Sequence, residues 1–217
     1  MGYVYREVFI TKDENWQVPK AKDQEFDVTV YGAGGSGSCD GNFFGPVCGA
    51  GGGSGYMARG NFIIPEGERV KIEIGAGGPG AYGKTATDFE GQMIGQTGGT
   101  TYFGNYISAA GGAGAYRSIG GQGGHNGGNT GMAGEGGHGG AAVSKTINGI
   151  SYTSGGGGSA IDGIGRGGSA DVALGDAGVA AGGAGCMIVS TNNSGILRHI
   201  GSGGPGLCVI RYYHKTT

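Results

Sequence analysis

Residues 121–140 read GQGGHNGGNTGMAGEGGHGG, with glycine at 121, 124 and 127 and then, after a shift of one, at 128, 131, 134, 137 and 140. A repeat of three matches neither an α-helix nor a β-strand. It is the repeat of an extended left-handed helix of the polyproline II type, which turns once in about three residues and makes no internal hydrogen bonds. Its N–H and C=O groups point outward and need partners. Segments lying side by side supply those partners, provided that glycine stands wherever two backbones meet, because a Cβ would hold them apart. The expected fold is mostly irregular and β: a bundle of polyglycine II helices on a small antiparallel β base, with loops at the distal end.

Glycine accounts for 58 of 217 residues. With 37% hydrophobic and 14% charged residues, the chain has neither a large apolar core nor the charge density of a self-repelling disordered segment. Collagen is excluded, because the repeat is interrupted often and only five prolines are present. A flexible glycine linker is disfavoured by the apolar segments inserted at intervals. The length suits a single domain spanning 1–217, with strands in 1–31 and 207–217 contributing to the base and 32–206 forming the bundle with its hairpins and loops.

Those apolar segments read as strands. FDVTVY (Phe26 to Tyr31) alternates in and out, Asn61 to Ile64 and Arg69 to Ile74 flank the turn PEGE, and LCVIRYY (Leu207 to Tyr213) closes the series. TYFGNYISAA (Thr101 to Ala110) and INGISYT (Ile147 to Thr153) read as hairpins. Strands at the start, middle and end predict one base from which glycine runs depart and return. Parity then places the turns: 38–48, 81–97, 115–119 and 186–200 fall at the far end. The same argument leaves loops 144–154 and 161–166 unassigned.

A formal net charge of −2 offers no attraction for nucleic acid or a membrane surface. No apolar run approaches the roughly 20 residues of a membrane span. The start, MGYVYREVFITKDENW, lacks the basic and apolar pattern of a secretory signal, and Arg6 breaks the myristoylation pattern, so synthesis without export is expected. Cys39 and Cys48 bracket one loop, and Cys186 and Cys208 complete the set; reduced thiols are the default without export, with either bridge left open.

Catalytic strings are weak. Gly78 to Thr85 (GPGAYGKT) fits the phosphate-loop pattern, but the glycines that follow argue against the helix whose N-terminus would meet a phosphate. His125, His138 and Glu135 lie in glycine runs and read as solvated positions, while Asp171 and Asp176 miss the spacing of calcium-binding repeats. No nucleophile elbow is paired with a histidine. No enzyme activity, metal or cofactor is expected.

The aromatic residues divide by position. Phe26, Tyr31, Tyr102, Tyr106, Tyr212 and Tyr213 fall in strands and are expected in the core. Phe43, Phe44, Tyr82, Phe89 and Tyr116 fall in distal loops, where a glycine bundle offers little core to bury them, and they read as contact residues. Arg117, Asn192, Asn193, Arg198 and His199 supply the polar part of the same surface. An ice-binding or purely structural bundle is the alternative; it would want a flat face of small residues rather than irregular aromatic loops.

NWQVPKAKDQEFDVTVYGAGGSG (Asn15 to Gly37), GGGSGYMARGNFIIPEGERVKIEIGAGG (Gly51 to Gly78), GGTTYFGNYISAAGG (Gly98 to Gly112) and GGPGLCVIRYY (Gly203 to Tyr213) together resemble the glycine-rich domain of phage and prophage tail-fibre proteins. More distantly, the chain is similar to the T-even-type long tail fibre adhesins, whose polyglycine II bundles carry variable receptor-binding loops. The resemblance implies a virion protein at the tail fibre tip, made in the host cytoplasm. Its β base would join the fibre shaft protein, and its distal loops would bind a bacterial outer-surface protein or glycan.

Overall fold

The computed structural model describes residues 2–38, 50–83, 94–116, 119–124, 143–147, 150–154, 187–191 and 195–216. Strands in chain order are β1 (Gly2–Ile10), β2 (Glu14–Gln17), β3 (Glu25–Tyr31), β4 (Met57–Ile63), β5 (Arg69–Glu73), β6 (Ala81–Gly83), β7 (Thr101–Phe103), β8 (Ile107–Ala109), β9 (Val143–Ile147), β10 (Ile150–Ser154), β11 (Met187–Thr191), β12 (Gly195–Ile200) and β13 (Leu207–Thr216). Among the described residues the only helical element is a 3-10 turn at Lys22–Gln24.

The base is a sandwich of two antiparallel sheets, ordered β1-β13-β3-β4 and β2-β5-β7-β8. Alternation builds its core. On β3, Phe26, Val28 and Val30 point inward; on β13 the same register brings in Cys208 and Ile210. From the second sheet come Trp16, Val70, Ile72 and Phe103. Trp16 stands at the centre, with ring centroids 5.4 Å from Phe26, 5.9 Å from Phe103 and 6.4 Å from Tyr212, mostly edge to face.

The strands flanking PEGE exist, but they do not pair with each other: β4 pairs with β3 and β5 with β2 and β7. The turn carries the chain from one sheet to the other, with Gly67 at φ +83° as a turn of this kind requires. Both expected hairpins form, as β7–β8 and β9–β10. The core assignment of the strand aromatics needs correction at two positions. Tyr102 and Tyr213 are exposed, because their neighbours Phe103 and Tyr212 occupy the inward positions of a two-residue alternation.

Glycine runs leave and re-enter the sandwich between these strands. Runs 32–38, 75–80 and 110–115 lead away; 50–55, 95–99, 121–124 and 201–206 lead back. Run 32–38 is buried along its whole length and reveals the arrangement. The amides of Gly32, Gly35 and Ser38 donate to the carbonyls of Tyr56, Gly53 and Ala50 at 2.9, 2.9 and 3.0 Å. Those of Ala33 and Ser36 donate to Gly99 and Gln96 at 3.0 and 2.9 Å, and those of Gly34 and Gly37 to Gly204 and Gly201 at 2.8 and 3.1 Å. Each neighbour is met at every third residue, and each step of three outward is a step of three back along the partner.

Close approach makes glycine obligatory here. A Cβ placed on Gly35 would lie well under 3.0 Å from the backbone of Ala113, which cannot swing away as a side chain can. Serine and alanine occupy the positions that face gaps. Ser36 Oγ accepts a hydrogen bond from the Gln96 amide at 2.8 Å, and Ser38 Oγ one from Ala50 at 3.1 Å. Residues 125–140, where the repeat is longest in sequence, lie outside the described residues, as do loop 161–166, Cys39, Cys48 and Cys186.

Cys208 is a free, buried thiol, so it forms no bridge to Cys186. Burial, with Glu14 nearby, pushes its pKa from 9.0 up to about 12. The folded pKa is raised, so this contribution to stability is complete below pH 9 and is lost as pH rises through about 12. Alkylation of Cys208 at pH 8 is expected to proceed only at the rate of unfolding, measured by mass spectrometry with and without urea.

Two glycine substitutions separate packing from turn strain. Gly35→Ala is expected to destabilise by about 3 kcal/mol, because two backbones must part. Gly67→Ala, where nothing lies within 4 Å of the added methyl, should cost only about 1 kcal/mol for its left-handed φ. Urea unfolding midpoints measure both.

Candidate functional site

At the end away from the sandwich the small-residue rungs stop and large side chains begin. The last rungs are Gly95 N–H to Ala115 O at 2.6 Å and Ala115 N–H to Ser36 O at 3.0 Å. One residue beyond each, Ile94 bridges to Tyr116 and Tyr116 bridges to Ile119. The Tyr116 and Ile119 backbones exchange both hydrogen bonds, at 2.9 and 2.8 Å. Ile94, Tyr116 and Ile119 are 54, 48 and 60% exposed. Exposed apolar residues held together by backbone bridges form a rigid patch rather than scattered surface positions.

Beside the outbound run 75–80 and the returning run 201–206, the chain forms a second distal element. Strands β6 and β12 pair antiparallel, with Ala81 opposite Ile200, Tyr82 opposite His199 and Gly83 opposite Arg198. On its other edge β12 pairs with β11, which places Met187 opposite His199 and Ile188 opposite Arg198. Segments more than a hundred positions apart in sequence thus meet because runs 75–80 and 201–206 are hydrogen-bonded neighbours, through Gly203 N–H to Gly78 O and Gly206 N–H to Gly75 O.

Of the sequence-derived site residues, Tyr82, Arg198 and His199 are brought together in this three-stranded sheet, and Tyr116 lies in the apolar patch. Phe43, Phe44, Phe89, Arg117, Asn192 and Asn193 lie outside the described residues, as do His125, Glu135, His138, Asp171 and Asp176. Sequence reasoning missed Ile94 and Ile119. Their signal was a β-branched apolar residue directly adjoining a glycine run at a turn, where no strand alternation called for one.

The arrangement suits non-covalent contact. Among the described residues no group of His, Cys, Asp and Glu is placed to hold a metal ion, and no helix is long and apolar enough to cross a membrane. The phosphate-loop string is used differently: the amide of its first glycine, Gly78, donates to Gly34 O at 2.9 Å, and Ala81–Gly83 is strand.

Residues 11–213 match the family profile described as a glycine-rich domain. No curated protein matches the chain.

Because Tyr116 is exposed, Tyr116→Ala should change unfolding free energy by less than about 0.5 kcal/mol. Phe103→Ala, fully buried beside Trp16, should cost about 3–5 kcal/mol. Chemical denaturation distinguishes the two, and equal losses would mean that the distal patch is core.

Proposed function

We propose that this chain, a member of the glycine-rich domain family, is the receptor-binding tip of a phage or prophage tail fibre, with the sandwich joining a shaft protein and the far end meeting the host surface. In this reading the glycine runs are a polyglycine II bundle, a stiff spacer between the two. The three-residue hydrogen-bond repeat along 32–38, with three neighbours taken in turn, supports that reading.

The observation that carries the proposal is the placement of Ile94, Tyr116 and Ile119, exposed and joined at the end remote from the hydrophobic core. Large apolar side chains exposed together at one end are available for contact with a partner. Aromatic and aliphatic anchors of this kind match the composition of recognition surfaces. The partner is a bacterial outer-surface protein or glycan, bound without covalent chemistry, and the location is the virion.

Labelled protein incubated with whole cells from a panel of bacterial strains should show saturable binding restricted to some strains. The triple variant Ile94→Ser, Tyr116→Ala, Ile119→Ser should lose at least tenfold in that binding with its melting temperature essentially unchanged. Binding to no strain, or undiminished binding by the folded variant, would contradict the proposal.

A further inference from the structure

The outward face of the sheet β1-β13-β3-β4 carries a cavity of about 440 Å³, within the range of about 300–1,000 Å³ typical of small-ligand sites. It lies on the sandwich, apart from the distal patch. One row of side chains crosses all four strands beneath or beside it: Glu7, Arg211, Asp27 and Asn61 are successive register partners. The floor is fixed by ion pairs. Arg59 grips Asp27 with a two-point fork, Nε to Oδ1 at 2.8 Å and Nη2 to Oδ2 at 2.5 Å. Arg211 donates from Nε to Glu7 Oε1 at 2.7 Å and from Nη1 to Thr29 Oγ1 at 2.9 Å. The Arg59 fork also holds the Asp27 carboxyl below its ordinary pKa, so it remains a charged acceptor.

These pairings leave groups unspent. Arg59 Nη1 and Arg211 Nη2 retain N–H donors, and the Asn61 amide and Glu25 carboxylate take no partner among the described residues. At one end Tyr5 and Tyr213 stand edge to face, centroids 5.5 Å apart and each about half exposed. The opposite wall is a strained turn. Asp23 and Gln24 both adopt left-handed φ, at 54° and 51°, a conformation that side chains disfavour and that a fold keeps only where it is over-determined. Gln24 supplies that determination: its Oε1 accepts from the Ala21 amide at 2.6 Å and its Nε2 donates to Ile64 O at 3.0 Å. The turn thereby holds Lys22 and Asp23 against the cavity.

The charged lining balances, with Lys22, Arg59 and Arg211 against Asp23, Glu25 and Asp27. An ionic ligand would gain no net attraction to offset its lost hydration. A neutral ligand with many hydroxyls fits better. Each hydroxyl both donates and accepts, matching interleaved guanidinium, carboxylate and amide groups, while the C–H face of a sugar ring suits the apolar body of a tyrosine. The geometry points to a binding site for a neutral saccharide on this face of the sandwich, lined by Tyr5, Tyr213, Asn61, Arg59 and Arg211.

The test is a printed panel of neutral and acidic oligosaccharides probed with the full chain, followed by calorimetric titration of the sugars retained. At least one neutral oligosaccharide should bind, and Asn61→Ala and Tyr213→Ala, both at exposed positions, should each weaken it about tenfold with circular dichroism unchanged. Tyr116→Ala should leave it unaltered. Retention of no neutral sugar, retention of acidic sugars only, or binding that Tyr116→Ala weakens while Asn61→Ala and Tyr213→Ala do not, would overturn the assignment. The last result would move saccharide recognition to the distal end and leave the proposed adhesin function standing.

Discussion

The close approach of one backbone to another, permitted only where Cβ is missing, is the constraint on which the rest of this structure depends. Ordering glycine costs more conformational entropy than ordering any other residue, and a glycine run has no side chains with which to offset that cost by burial. What remains is the hydrogen bond. In run 32–38 every amide finds a carbonyl on one of three neighbouring runs, so the buried polar backbone is satisfied without helix or sheet. Adding a methyl group to Gly35, Gly111 or Gly203 would push a neighbouring carbonyl aside and break that neighbour's rungs as well. The arrangement is cooperative for this reason, and it admits residues with side chains, such as Ala33, Ser36 and Gln96, only where no neighbouring backbone lies against the Cβ.

The sandwich supplies what the glycine runs cannot. Phe26, Trp16, Phe103 and Ile72 bury apolar area in one cluster, and the register of β3 against β13 and β4 fixes where runs 32–38, 50–55 and 201–206 begin or end. Thr101 ties the two regions together: fully buried, its Oγ1 accepts from the Gly75 amide at 3.1 Å where that run leaves the base. Register chosen by hydrophobic packing is thus transmitted into the spacing of the rungs. The distal positions of Ile94, Tyr116 and Ile119 inherit their geometry from the same source.

Much of this was legible in the sequence. Glycine period, strand alternation and the order of segments predicted a β base and placed 81–97, 115–119 and 186–200 at one end, and the bridges among 94, 116 and 119 and the pairing of β6 with β12 agree. The base takes in middle strands within 57–73 and 101–109 as well as the terminal ones. Strand β1 lies within 1–31, which was assigned to the base, but its own limits were not legible. Its exposed residues Tyr3, Val4 and Tyr5 break the in–out alternation that identifies a half-buried strand. Nor could alternation say which neighbour faces inward at Tyr102 and Phe103 or at Tyr212 and Tyr213, since both members of each pair are aromatic. Partnering of β4 and β5 with different sheets is a long-range choice, settled by Trp16 and Val18 reaching β5 and the turn before it, which no local pattern encodes.

The proposed function rests on a division of labour between the two regions. A sandwich holds the strands, backbone rungs carry rigidity outward, and the residues freed from the glycine requirement stand at the end. Residue-resolved amide hydrogen exchange tests this account most directly. Amides of Gly34, Ser36, Gly98 and Gly203 should be protected to within about tenfold of Val28 and Val30 in β3, as members of one cooperative unit. Exchange of the glycine-run amides at the rate of an unstructured chain, with the sandwich still protected, would contradict it.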